Sequence, residues 1–189
     1  MFIRAVDEAL EKLVRERLPL PEELGDVSFD PPTGTWAAQL GRITVNFFLY
    51  GVTRSSNPSR SMLNRVQDGR AERRAPQPVV DLEYLVSAWA GSPREEHQLL
   101  GDLISMVTGL RALPEEYFKT AVNSSALLEF DVDEANKVRE VWSALGGQLK
   151  GSFLLRVGVA TDTYDWAAAP PAIERIDALT APHFGGIKR

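Results

Sequence analysis

Two long apolar runs, Ile43–Tyr50 and Val79–Trp89, are separated by a connection that neither can absorb. The connection carries Arg54, Arg60, Arg65, Arg70, Arg73 and Arg74 against only Asp68 and Glu72. Its net charge is +4 in a chain whose total is −5, which leaves −9 elsewhere. The flanking runs read as strands, and the connection reads as a long irregular segment. A segment of that length in a compact domain is usually kept for a use. Guanidinium groups suit two-pronged contacts with carboxylates or phosphates. The pattern therefore points to assembly or binding and away from an enclosed active site.

The strand at 79–89 alternates, with Val80, Leu82, Tyr84, Val86 and Ala88 on one face and Asp81, Glu83 and Ser87 on the other. The strand at 43–50 places Val45, Phe47 and Leu49 together, but Phe48 and Tyr50 on the opposite face predict cover on both sides. Residues 2–18 repeat Ile3, Val6, Leu10, Leu13 and Val14 at helical spacing, and Pro19 and Pro21 end the run. Val27–Phe29 reads as a short strand. Ser92, Pro93 and Glu95 start a helix whose apolar stripe runs from Leu99 to Leu110. A strand near 126–130, a helix opened by Asp131 and Glu134 and closed at Gly146-Gly147, and a strand at 151–160 follow. Ala167–Pro171 reads as a linker, and the tail from Ala172 to Arg189 gives weak signals. Strands that lack a regular βαβ alternation predict an α+β fold: a mixed or antiparallel sheet with about three helices packed on it. One domain over 1–165 and a C-terminal tail over 166–189 acting as a contact segment complete the expected organisation.

At 189 residues and 44% hydrophobic content the chain can fill a sizeable core. It has no cysteine, which excludes disulfides, thiol nucleophiles and thiolate metal sites. No apolar run is long enough to span a bilayer, and the charged N-terminal run is not that of a Sec-type signal peptide. A cytosolic origin fits. An isoelectric point near 5.2 argues against nucleic-acid binding over the whole surface.

The inventory of chemistry is thin. His97 has Leu100 and Gly101 where a second metal ligand would stand, and His183 has no evident partner. Asp131, Asp133, Glu134 and Asn136 resemble a calcium loop but lack its glycine and its distant glutamate, so helix capping accounts for them. Asp162 and Asp165 read as a solvated strand end. The glycines form no phosphate-binding loop, and no serine sits in a nucleophile elbow. Trp36, Trp89, Trp142 and Trp166 are too far apart in sequence to suggest a stacking platform and read as core or interface residues. For the arginine segment three readings stand: a solvated loop, a nucleic-acid arm, which lacks interleaved aromatics, and a protein-contact loop.

Several blocks taken in order resemble one family. They are Val27–Thr33 with Trp36, Thr44–Tyr50, Val80–Ala90, Glu95–Leu100, and Trp142–Gly147 followed by the strand at 152–159. This set is similar to the cap, or tail-terminator, proteins of phage-tail-like contractile injection systems, from about Ile3 to Tyr164. The resemblance implies a non-enzymatic structural subunit with no cofactor and no metal. It implies a hexameric ring that closes the distal end of the inner tube and anchors the last sheath layer. The implied partners are further copies of the chain, tube and sheath proteins, with neither nucleic acid nor membrane insertion. The subunit would be made in the cytoplasm and incorporated into the particle. The alternative is an adaptor module for cargo loading or membrane attachment. On either reading the six arginines are the candidate contact residues.

Overall fold

A computed structural model describes residues 2–56, 62–119, 127–131, 135–146 and 149–170. Arg60, Asp133, Glu134, Gly147, His183 and the tail beyond Pro170 lie outside the described residues. The elements in chain order are α1 (Phe2–Arg17), β1 (Gly25–Ser28), α2 (Gly34–Ala37), β2 (Ile43–Arg54), β3 (Leu63–Gln67), β4 (Arg70–Arg74), β5 (Val79–Trp89), α3 (Pro93–Thr108), β6 (Leu127–Asp131), α4 (Ala135–Ala144), β7 (Ser152–Ala160) and β8 (Ala167–Ala168). Two sheets result. The larger has the order β1-β2-β5-β7-β6, with β1 parallel to β2 and the other neighbours antiparallel. The smaller has the order β3-β4-β8, all antiparallel. The expected α+β class with a mixed sheet is what forms.

β5 is the centre of the larger sheet and is buried on both faces, from Asp81 to Ala88. On one side Val45, Phe47, Leu82, Tyr84 and Val86 pack with Val6, Leu10 and Leu13 of α1 and Leu103 and Val107 of α3. On the other, Leu85 and Leu154 pack with Trp142 of α4, and Phe48, Tyr50 and Trp89 close around them. The helices bury single stripes, as their spacing requires. The polar face expected for β5 is thus a second core face. Of its carboxylates, Glu83 is held near that core by a partner, Lys137, whose Nζ lies at 3.2 Å. Buried charge is tolerated when paired in this way.

Local chemistry sets the ends. Ser92 Oγ accepts from the Glu95 amide at 3.4 Å and donates to Glu95 Oε2 at 2.9 Å, and Pro93 opens the helix. The reciprocal arm of this capping box therefore reaches the serine hydroxyl. β2 carries a bulge between Leu49, which faces Tyr84, and Gly51, which faces Glu83. A Cβ at Gly51 would lie 2.6 Å from Glu83 Oε2, so any side chain there would have to push that carboxylate aside from its place beside Lys137.

Trp142 is 2% exposed and donates from Nε1 to Ser152 Oγ at 2.9 Å. Trp142→Ala removes the anchor of α4, and the expected cost is about 3–5 kcal/mol in chemical denaturation. A second expectation concerns pH. Tyr84 OH donates to Asp7 Oδ1 at 2.8 Å beneath α1. Burial raises the Asp7 carboxyl above its ordinary 3.8, against the opposing pull of the Tyr84 bond. A raised acid makes the folded state hold the proton more tightly than the unfolded chain. The associated stability is complete below 3.8 and is lost as pH rises through the raised value. Asp7→Asn, which keeps an acceptor for Tyr84, is therefore expected to gain in melting temperature over the wild type between about pH 4 and pH 7. A constant difference across that range would contradict the assignment.

Candidate functional site

The arginine-rich connection is not the irregular segment that its composition suggests. Most of it is a β-hairpin, β3–β4, turning at Asp68-Gly69. Both turn residues have positive φ, 51° and 74°, the geometry that a two-residue hairpin with right-handed strand twist demands. The missed signal is that Asp-Gly dipeptide between Val66 and Ala71. A charge count hides it.

Three devices tie the hairpin to the chain after β7. Ala167 and Ala168, expected in a linker, form β8 and pair with Arg73 and Glu72. Buried Gln77 accepts from the amides of Thr163 and Tyr164 at 2.9 Å each, and its Nε2 donates to the Tyr164 carbonyl. Trp166 lies under two guanidinium groups, with Arg65 4.2 Å and Arg74 4.7 Å from its ring centroid. Arg65 also donates to Glu72 Oε2 at 2.7 Å. Cross-strand partners share a face, so Arg65, Glu72, Leu63 and Arg74 lie together on the Trp166 side.

The candidate arginines thus divide by role. Arg65 and Arg74 clamp Trp166 and organise the small sheet. Arg54, Arg70 and Arg73 are exposed, and so are Met62, Leu63 and Val66, the last at 75%. The result is a cationic hairpin with apolar side chains open to solvent.

The tryptophans also depart from expectation. Trp36, Trp89 and Trp142 converge at one end of the larger sheet, with centroids 5.3 Å apart for the first pair and 6.3 Å for the second. Lys150 Nζ sits 3.9 Å from the Trp89 centroid and pairs with Glu96. Thr33 caps α2 through the Trp36 amide and so holds Trp36 edge-on to Trp89. A cleft of about 440 Å³ opens beside this group. Sequence separation concealed the cluster, because register between β2, β5 and β7 creates it. His97, Asp162 and Asp165 are exposed. Among the described residues no group of three or more His, Cys, Asp or Glu is placed to hold a metal ion, and no helix is long and apolar enough to cross a membrane.

The structure is a two-faced α+β core that displays a cationic hairpin. Residues 5–175 match the family model described as the Pvc16 N-terminal domain, and the chain belongs to that family. Among solved structures, the fold is similar to the sheath/tube terminator of PVC, an extracellular contractile injection system, in its extended state. The TM-score is 0.63 at 20% identity, over 95% of this chain and 64% of that one. It is also similar to the tube-terminating cap of the anti-feeding prophage, with a TM-score of 0.61 at 16% identity over 93% and 60% of the two chains. The chain spans less than two thirds of the length of these two terminators. No curated protein matches significantly. The family read from the ordered sequence blocks is therefore the one found.

Trp166→Ala tests the clamp. Each cation–π contact contributes about 0.5–1 kcal/mol at exposed sites, so loss of both should raise opening of the hairpin roughly 5- to 30-fold. Tryptic cleavage at Arg70, Arg73 and Arg74 should accelerate by that factor, while the main melting transition stays nearly unchanged.

Proposed function

We propose that this protein is a structural tail terminator, which closes the distal end of the inner tube of a contractile injection particle and anchors the last layer of sheath. The observation that carries the reading is the family match over residues 5–175, supported by the fold shared with two terminators. The role requires no catalysis and no cofactor, and the subunit passes from the cytoplasm into the particle. Its partners are tube and sheath proteins and further copies of itself in a ring of about six, the closed cyclic arrangement in which one head-to-tail contact repeats around an axis. The arginines at 54, 60, 65, 70, 73 and 74 supply protein contacts in this ring or at the tube end, and the segment from 166 to 189 adds to them.

Particles from a strain lacking this protein should have abnormal length and open distal ends when imaged. Normal length and intact ends would overturn the reading. The exposed arginines give a sharper test. Arg70→Ser combined with Arg73→Ser spares the Trp166 clamp, so the melting curve of the isolated subunit should barely move. Single exposed pairs contribute only about 0–1 kcal/mol, so the assembly defect should be collective. Yield of capped particles should fall several-fold at low salt, and the difference from the wild type should shrink as salt rises, since the Debye length falls to roughly 3 Å at 1 M. Undiminished yield would mean that Arg70 and Arg73 are only solvated.

A further inference from the structure

We propose that neighbouring copies of this chain join edge to edge, with β3 of one pairing with β6 of the next to extend the sheet across the subunit boundary. The inference rests on the ring reading above and names the contact.

Both strands are edges. Among the described residues β3 pairs only with β4, and β6 only with β7. An unpaired edge presents a row of amide and carbonyl groups ready to template another strand, and proteins ordinarily blunt it with proline, bulges or cover. Among the described residues β3 shows none of these. Its five residues contain no proline, its register with β4 is unbroken, and all five are exposed. Leu63 and Val66 are apolar side chains left in solvent. Such an edge is used or it is a liability.

Charge selects the partner. Residues 63–74 carry Arg65, Arg70, Arg73 and Arg74 against Asp68 and Glu72, a net +2. β6, Leu-Leu-Glu-Phe-Asp, carries Glu129 and Asp131 and no basic residue. Length agrees as well, at five residues each. The other edges fit less well. In β1 the Gly25 carbonyl already accepts from Arg15 at 2.6 Å and the Ser28 carbonyl from Asn46 at 3.3 Å. β8 is two residues long. A ring needs two different, complementary surfaces on one subunit, and β3 and β6 lie in different sheets.

The chain has no cysteine, so introduced pairs report cleanly. Val66→Cys is combined with Glu129→Cys in one protein and with Phe130→Cys in another. Neighbouring strand residues alternate faces, so one of the two falls on the side of the reporter. A short bismaleimide is applied to the purified subunit at high concentration and to assembled particles. The expected result is a covalent ladder above the monomer from at least one double variant, and none from Val66→Cys alone. A dimer from Val66→Cys alone overturns the proposal, because β3 would then pair with its own copy.

A charge exchange without cysteines supplies the second measurement. Arg70→Glu with Arg73→Glu, and Glu129→Arg with Asp131→Arg, should each reduce self-association by several-fold in sedimentation or in particle incorporation. Mixing the two proteins should restore it, since each edge then meets its opposite. Absence of both ladder and rescue from folded protein overturns the proposal. Capped particles without a ladder sink the edge contact and leave the terminator reading intact. A ladder beside unaltered particles in the deletion strain does the reverse.

Discussion

Pairing of β5 with β2 on one side and β7 on the other is the constraint that orders everything else. It holds through eleven residues of β5 and buries both of its faces. Because side chains alternate, the register that puts Leu82, Tyr84 and Val86 against α1 and α3 also puts Leu85 against Trp142. A slip by one residue would carry Asp81 and Glu83 into the larger core and turn Leu82, Tyr84 and Val86 toward Trp142. Partners for the buried polar groups enforce the same register. Glu83 needs Lys137, and Tyr84 needs Asp7. The bulge at Tyr50 is the local adjustment that lets β2 follow β5 past the Glu83 pair.

The small sheet depends on that core without belonging to it. Gln77, just before β5, holds Thr163 and Tyr164, just after β7, so the two ends of the central ladder aim Trp166 at the hairpin. The hairpin then closes over the ring with two guanidinium groups. Its order comes from cation–π contacts and two β-bridges rather than from a hydrophobic interior. Such an element opens at lower cost than the core.

Elements that bury one stripe or alternate strictly were legible in the sequence. α1, β2, β5, α3 and β7 fall within a few residues of their expected limits, because proline, capping and periodicity act locally. The hairpin was not, because six arginines in a long connection read as an irregular segment although Asp68-Gly69 marked a turn. β8 was hidden in an Ala/Pro run, since two bridges leave no periodic trace. The short helix that carries Trp36 was likewise silent. The tryptophan cluster is invisible in principle at this level: Trp36, Trp89 and Trp142 meet only after three strands have paired. The family, by contrast, was legible from the order of several modest blocks, none sufficient alone.

The antiparallel β2–β5–β7 ladder also determines how the subunit meets force. Its hydrogen bonds run nearly perpendicular to the strands. A pull along the strand axis shears all of them together, whereas a pull across the sheet opens them in succession. Resistance is therefore direction-dependent: high along β5 and low at the hairpin, whose strands are five residues long. Tension entering through the cationic hairpin would yield there first, and the central ladder would keep its register. The molecule is built as a stiff block with a compliant handle.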